Sequence, residues 1–389
     1  MRRLASLLSR PARLAVPAVA LLVLAGTATA AAAAAAGPAG SPRAAAHSAP
    51  DPAAAPTAPG KAPAPAPFLW HPLPLENGWA SASTKSLVTG TPAWAIRDGV
   101  VYLRGAIKQT VHAGSYVVAQ LPQFAWPTHD LYLQVYTSSA VPGVLYIGAD
   151  GAVEVYYGNS ATFTSLAAVS YPTKTVKSSN LALENGWLSS QSSYDTGNPA
   201  YSVSNGVVRL SGSMHTAGTS RLAFVLPKAA RPAAGMYVST YTFDGSTGWL
   251  HIQSTGQVYA EGASAGEYTN LANVSFPVAS TKWHSFPLTA GWKSGAAQFH
   301  TAGPAYAVID GVVYLTGSMH QPVSGTGLWT FIPAPARTTG DVLEIEADTS
   351  KGSTGSVAMT NSLGLVGSQP FSNARAFTSL AGIAYPPSS

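Results

Sequence analysis

Apolar and polar side chains alternate along short runs of this chain. In the clearest run, Leu131, Leu133 and Val135 are separated by single polar or aromatic residues, which is the period of two expected for a β-strand with one buried face. Asx-Gly pairs and prolines separate such runs about every 8 to 14 residues, and helical periodicity is nearly absent. The pattern therefore predicts an all-β fold of short antiparallel strands.

The same landmarks occur three times in the same order. Each copy opens on a Gly-Trp pair, continues through Pro-Ala-Trp or Pro-Ala-Tyr, and then has an Asx-Gly pair followed by a Val-Val-x-Leu-x-Gly strand. Each closes on a Leu-x-x-Val/Ile-x-aromatic-Pro segment. A copy of roughly 100 residues is much longer than the ~20–50 residues of a solenoid repeat, so each copy has the length of a domain.

We therefore expect three tandem antiparallel β-sandwich or jelly-roll-like modules, over 68–174, 175–279 and 280–389, each of about seven to nine strands. The shared tryptophans, Trp79, Trp187 and Trp292, are expected in the cores because a small domain fills its interior with such side chains. The Asx-Gly pairs are expected to form tight hairpin turns with positive φ at Gly99, Gly206 and Gly311.

The first 67 residues differ in composition from the repeats. Residues 1–30 combine arginines, an apolar run from Leu14 to Leu24 and a small-residue cleavage site at Ala28-Thr29-Ala30, as in a secretory signal peptide. Residues 31–67 are rich in Ala and Pro and predict a disordered linker. The expected location is extracellular, with cell-wall association as an option, and the composition resembles that of secreted actinobacterial proteins.

Charge and cysteine content exclude several classes of protein. The chain has no cysteine, which excludes disulfides, zinc-cysteine sites and thiol catalysis. Four of its 21 basic residues lie in the predicted signal peptide, so 17 remain against 16 acidic residues. A nearly neutral mature chain has no electrostatic footprint for nucleic acid, and no later apolar stretch is long enough to predict a membrane span.

Sequence signatures of catalysis are few. There is no HExxH in the chain, and although one GxSxG occurs at Gly262-Ala263-Ser264-Ala265-Gly266, no Ser, His and acid combination stands out by spacing, so we expect no enzyme activity and no cofactor. One group of acids, Glu344, Glu346 and Asp348, alternates on a predicted strand and shares one face. These carboxylates are a weak candidate for a hard cation such as calcium, but the favoured interpretation is a solvated outer face.

The strand after each Asx-Gly pair, with its continuation, offers candidate ligand-binding residues. If its apolar residues point inward, the intervening positions form a face that mixes aromatic rings with hydrogen-bonding groups, as sugar- or peptide-binding surfaces do. An ordinary polar sheet exterior is the alternative. The candidates are Tyr102, Arg104, Lys108, Arg209, His215, Tyr314 and His320.

Taken together, these landmarks resemble the small β-modules at the tips of bacteriophage tail-fibre and baseplate receptor-binding proteins. The resemblance extends from Leu75 to Pro386 and implies a surface-recognition module, commonly glycan-binding, redeployed in a secreted protein. Such tips are typically homotrimers, so the resemblance also implies that three fused copies in one monomeric chain pack about a pseudo-threefold axis. A linear rod of modules is the simpler alternative.

Three functions from different classes fit the sequence. The first is a secreted, non-catalytic protein that binds an extracellular or cell-surface ligand, with carbohydrate favoured by the aromatic and hydroxyl-rich face. The second is a structural spacer in the cell wall or envelope. The third is a secreted hydrolase with its site in one module, for which His320 or Glu344 would be needed.

Overall fold

Antiparallel strands are the main secondary structure of this protein, with 46% strand against 9% helix, which confirms the all-β prediction. The computed structural model describes residues 66–111, 115–323, 328–338, 342–349, 353–360, 365–369 and 371–387. The predicted signal peptide and all of the predicted linker before Ala66 lie outside these residues. The described residues belong to one compact unit, Pro63–Ser389.

The first repeat has two antiparallel sheets. One has the order β1-β3-β4-β11 and the other the order β2-β5-β10-β7-β8-β9-β6. The strands are β1 (His71–Pro72), β2 (Trp79–Ser81), β3 (Ala93–Arg97), β4 (Val100–Arg104), β5 (Ala106–Gln109), β6 (Val117–Gln120), β7 (Leu131–Thr137), β8 (Val141–Ile147), β9 (Ala152–Tyr156), β10 (Thr164–Ser165) and β11 (Ser170–Pro172).

The second repeat has the same strand order. Its larger sheet is divided into β13-β16-β21 and β17-β20-β19-β18 beside β12-β14-β15-β22, and a single bridge between Thr242 and Thr269 joins the two parts. Its elements are β12 (Ser179–Asn180), β13 (Trp187–Ser189), α1 (Gln191–Tyr194), β14 (Ala200–Ser204), β15 (Val207–Ser211), β16 (Ser213–Thr216), β17 (Leu222–Val225), β18 (Met236–Tyr241), β19 (Thr247–Ile252), β20 (Gln257–Glu261), β21 (Thr269–Asn270) and β22 (Ser275–Pro277).

The third repeat returns to a four-stranded sheet, β23-β25-β26-β33, and a seven-stranded sheet, β24-β27-β32-β29-β30-β31-β28. Its elements are β23 (His284–Ser285), β24 (Lys293–Ser294), α2 (Ala296–Phe299), β25 (Ala305–Ile309), β26 (Val312–Thr316), β27 (Ser318–His320), β28 (Leu328–Phe331), β29 (Leu343–Thr349), β30 (Ser353–Met359), β31 (Leu365–Gln369), α3 (Phe371–Ala376), β32 (Thr378–Ser379) and β33 (Ala384–Tyr385).

Short 3-10 helices and three α-helices connect the strands. The 3-10 helices are Gln123–Ala125, Ser138–Ala140, Lys228–Ala230, Phe243–Gly245 and Ala334–Ala336. The α-helices have four to six residues. Accordingly, among the residues with described structure no helix is long and apolar enough to cross a membrane.

Each repeat encloses its own apolar core between its sheets. The shared tryptophans are buried as predicted, with 6%, 4% and 4% of Trp79, Trp187 and Trp292 exposed. The aromatic residue before the closing proline is buried too, and its hydroxyl, where present, ties the end of the repeat to a 3-10 helix. Tyr171 donates to the carbonyl of Ala125 at 3.0 Å, and Tyr385 donates to that of Ala336 at 2.8 Å.

The Asx-Gly turns have the predicted conformation. The glycines, Gly99, Gly206 and Gly311, have φ of 74°, 75° and 74°, and the Asx residues before them have φ near 50°. Two successive positive φ values are those of a tight hairpin turn whose twist matches the flanking strands. Each turn accordingly joins two antiparallel strands: β3 to β4, β14 to β15 and β25 to β26.

The closing segment of each repeat packs against the core of another repeat. Ala272 of the second repeat lies in the core of the first, and Ala381 of the third lies in the core of the second. Ala167 and Ala168 of the first repeat pack against the core of the third. The approach is close, because a Cβ added to Gly382 would lie 2.5 Å from Val238 Cγ1.

In a second set of contacts, a residue just before a long strand of one repeat bonds to the following repeat, and the third repeat bonds to the first in the same way. Before β7, the amide of Asp130 donates to the carbonyl of Asp195 in the second repeat at 3.1 Å. Gly235, before β18, forms a parallel bridge with Thr301 in the third repeat. Before β29, the amide of Val342 donates to the carbonyl of Val88 in the first repeat at 2.6 Å. A linear rod has no contact between its first and third modules, so these contacts favour the closed alternative. Independent folding of each repeat stays a prediction.

Candidate functional site: two rows of rings between repeats

Three of the predicted site residues meet where the repeats join. Arg209 Nη2 lies 3.3 Å from the hydroxyl of Tyr102 and 3.1 Å from that of Tyr314, and it donates to both oxygens. Only 3% of Tyr102 and 2% of Tyr314 are exposed. The prediction of an exposed face is therefore wrong at these positions, because that face of β4, β15 and β26 is covered by the neighbouring repeats.

The other predicted residues lie elsewhere and keep some exposed surface. The guanidinium of Arg104 lies over the ring of Trp70, 4.3 Å from its centroid. Lys108, His215 and His320 occupy one equivalent position in the three repeats, on β5, β16 and β27, and all are partly exposed. A ligand-binding role for these four residues stays a prediction.

The acidic face of β29 differs from its prediction. Asp348 is only 6% exposed, and Glu346 Oε1 accepts a hydrogen bond from Gln134 Nε2 of the first repeat at 3.1 Å. Burial raises the pKa of Glu346 and of Asp348 well above their usual ranges, and it raises the pKa of Glu344 to about 7. The favoured interpretation, a solvated outer face, is wrong because the strand lies against β7 and β18 of the other repeats.

The candidate cation site at these acids is not assembled. No group of three or more metal-ligating His, Cys, Asp or Glu side chains occurs among the residues that the structure describes. Same-face residues on a strand are about 7 Å apart, and here their side chains have different neighbours. Glu344 bonds to Ser356, Glu346 bonds to Gln134, and Asp348 is acted on electrostatically by Glu261 of the second repeat.

The outer face of the larger sheet in the first repeat continues into the second repeat as a row of four tyrosines. Tyr132 on β7 is paired in register with Tyr146 on β8, and their ring centroids are 5.1 Å apart. Tyr132 also lies 6.2 Å from Tyr268, which lies 4.7 Å from Tyr194 at the end of α1. We call this set ring row I: Tyr146, Tyr132, Tyr268 and Tyr194.

The second repeat meets the third with the same arrangement. Tyr237 on β18 is paired with His251 on β19, and the two rings stack at 4.5 Å. Tyr237 lies 5.4 Å from Phe377, which lies 4.7 Å from Phe299 at the end of α2. We call this set ring row II: His251, Tyr237, Phe377 and Phe299.

The third boundary lacks such a row. Glu344 and Ala358 occupy the paired positions on β29 and β30, so the first two rings of the row are absent there. Phe163 of the first repeat, the counterpart of Tyr268 and Phe377, contacts Tyr136 instead, at 5.9 Å. The arrangement therefore occurs at two of the three boundaries.

Ring row II leads to an open pocket. Phe299 lies 6.1 Å from His320, and the pocket beyond it has a volume of about 520 Å³. The backbone holds the two sides of this pocket together, because the amide of Gln321 donates to the carbonyl of Arg375 at 2.7 Å. The pocket is lined by Gln298, His320, Gln321, Pro322, Arg375 and Ala376.

The two rows combine interface packing with exposed ring surface. Tyr268 and Phe377, in the middle of the rows, are buried, as expected for residues that hold repeats together. The rings at the ends of the rows remain partly exposed: Tyr146, Tyr194, His251 and Phe299. The end rings are therefore accessible to a ligand that lies across a boundary between repeats.

The polar groups of the rows are electrically neutral near pH 7. Burial raises the pKa of Tyr132, Tyr146 and Tyr237, so their hydroxyls stay protonated. Burial lowers the pKa of His251, which keeps its imidazole neutral. Tyr146 donates to Asp130 Oδ2 at 2.7 Å, which fixes the direction of its hydroxyl. The rows thus present uncharged rings with hydrogen-bonding edges.

Sequence reasoning identified the strands that carry these rings but not the rows. Tyr132 and Tyr237 occupy matching positions, and their alternation on a strand was a usable signal. The remaining rings, however, come from a neighbouring strand and from the next repeat, and no spacing along one copy brings them together.

Comparisons with models of protein families, with curated proteins and with solved structures gave no match for this chain. The resemblance to phage receptor-binding tips accordingly has no support beyond the landmarks in the sequence.

Proposed function

We propose that this chain is a secreted, non-catalytic protein that binds carbohydrate on a cell surface or in the extracellular space, across its ring rows. The observation that carries the proposal is the occurrence of one four-ring arrangement at two boundaries, each time with partly exposed end rings. A core needs aromatic residues, but it does not need them to end in exposed rings beside polar groups.

The chemistry of the end rings suits a sugar. The C–H face of a pyranose packs on an aromatic ring, and its hydroxyls exchange hydrogen bonds with polar groups at the ring edges. In ring row I those polar groups are the tyrosine hydroxyls and Asp130, and in ring row II they are Tyr237 and His251. Because the rows lie between repeats, a polymer rather than a single sugar is the fitting ligand.

Binding of the mature chain to a panel of soluble polysaccharides, followed by affinity electrophoresis, tests the proposal. We expect at least one polymer to retard the protein. Tyr146→Ala and His251→Ala are each expected to weaken that retardation about tenfold, since stacking on one aromatic ring contributes on the order of 1 kcal/mol or more. Phe124→Ala is the matched control, because Phe124 is 67% exposed and lies outside both rows.

The alternative functions give different results in the same assay. A wall spacer is retarded by no soluble polymer, and a hydrolase shortens the polymer that it binds. Retention of full binding by the Tyr146→Ala and His251→Ala double variant would show that the rows are only interface packing.

A further inference from the structure

The two ring rows share one arrangement of strands and rings, but the charged side chains around them differ in sign. Three positions beside the rings differ between them. Beside ring row I they are Leu188, Asp195 and Gly266, and in the equivalent places beside ring row II they are Lys293, His300 and Arg375.

Acidic side chains surround ring row I. Asp195, at the end of α1, and Asp130 lie close enough to Tyr132 to raise its pKa, and Glu267 does the same at Tyr194. Glu154 adds a further carboxylate on β9 beside Tyr146. The one predicted site residue of this region, His215, is within hydrogen-bond distance of Ser190, with Nδ1 3.0 Å from Oγ.

Basic side chains surround ring row II. Lys293 on β24 is directly opposite His320 on β27, so the two side chains lie on the same face of the sheet. Arg375 lines the pocket together with His320. His300 directly follows Phe299 in the chain and acts electrostatically on His251.

Two acids act on ring row II, Glu261 from β20 and Asp348 from β29, and burial raises the pKa of Asp348 well above its usual range, which favours its neutral form. Glu261 lies near His251 and Tyr237, and it forms an ion pair with Arg221 at 3.0 Å. Its charge is therefore largely balanced by a partner, and the pocket end of the row keeps its positive character.

On the basis of the proposed carbohydrate binding, we infer that ring row II is a subsite for acidic polysaccharides, with the sugar carboxylate held in the pocket by Arg375, His320 and Lys293. The planar guanidinium of Arg375 matches a carboxylate in bidentate geometry, and the ammonium of Lys293 adds charge at the rim. The rings of the row receive the neighbouring sugars. Ring row I, with its carboxylates, repels the same polymer.

A matched pair of ligands tests this inference. Polygalacturonate and its fully methyl-esterified form share one backbone and differ in carboxylate charge. We expect the mature chain to bind the free acid at least tenfold more tightly at low salt, with an advantage that decreases as salt is added, because screening weakens exposed charge pairs.

Variants of the pocket residues test whether the pocket causes the preference for the free acid. Arg375→Gln is expected to remove most of the preference for the free acid. Lys293→Gln removes part of it, and this exposed position makes misfolding a poor explanation. Lys228→Gln is the control, since it removes the same charge from an exposed site in the second repeat outside the pocket lining.

Each result has one meaning. Equal binding of the two polymers by the unmodified chain overturns the acidic subsite but leaves carbohydrate binding intact. A preference that survives Arg375→Gln together with Lys293→Gln overturns the assignment to this pocket. Binding to neither polymer nor to any in the wider panel overturns both the subsite and the proposed function.

Discussion

At the scale of single residues, polar side chains on strand faces covered by neighbouring repeats act as contacts between repeats. Arg209 replaces the tyrosine found at the same position in the other two repeats, and it donates to both Tyr102 and Tyr314. Hydrogen bonds from a charged donor in a covered site contribute more than those between neutral groups. Because arginine stands at one of the three equivalent positions and tyrosine at the other two, the three side chains can hydrogen-bond to one another.

The acids of β29 make the stability of the protein depend on pH. Burial raises the pKa of Glu344 from its usual 4.5 to about 7, so the folded state binds a proton that the unfolded state has released. The contribution of Glu344 to stability is therefore largest below about pH 4.5 and is lost as the pH rises through about 7. In urea unfolding, we expect Glu344→Gln to reduce the loss between pH 4.5 and pH 7.5 by roughly 1–3 kcal/mol.

Glu184→Gln is the control for this measurement, because Glu184 is exposed. It is expected to leave the pH dependence of the unfolding free energy unchanged. An equally steep pH dependence in Glu344→Gln and in the unmodified chain would exclude Glu344 as its source.

At the scale of elements, the tight turns show where sequence reasoning succeeds. A turn of two residues depends on local backbone conformation alone, and Asx-Gly specifies it wherever it occurs. The two ends of ring row II show where it fails. His251 is on β19 of one repeat and Phe299 is the last residue of α2 in the next, so their positions in one row depend on how the repeats pack.

The turn glycines provide a prediction about strain. A Cβ added to Gly206 would have only Val278 Cγ2 nearby, at 3.9 Å, whereas one added to Gly99 would lie 2.9 Å from Thr175 Oγ1. We therefore expect Gly206→Ala to cost about 1–2 kcal/mol of unfolding free energy, which is the cost of a left-handed conformation alone. Gly99→Ala is expected to cost more, because a clash adds to that strain.

Denaturant midpoints with unchanged slopes give these differences. Gly206→Asn is the matched control, since asparagine tolerates positive φ better than alanine, and it is expected to lose less stability than Gly206→Ala. Equal losses for all three variants would mean that backbone strain does not determine the stability of these turns.

At the scale of the whole molecule, the packing of the repeats against one another explains why some side chains that were predicted to be exposed are buried. Alternation along a strand assigns side chains to two faces, and it did so correctly for Tyr102 and Glu346. It does not indicate whether the outer face meets water or another repeat. Contacts between equivalent surfaces, as at Ala272 and Ala381, involve small residues, which have no distinctive signal in a single sequence.

The most direct test of this account is whether the first and third repeats touch in solution. Val88 and Val342 are joined by a backbone hydrogen bond although they lie far apart in the chain, and the chain has no cysteine to interfere. In the Val88→Cys and Val342→Cys double variant, a short bis-maleimide reagent is expected to form an intrachain crosslink in the folded protein, with neither single variant doing so. Failure to form it, while both thiols react with a monofunctional maleimide, would contradict the closed arrangement.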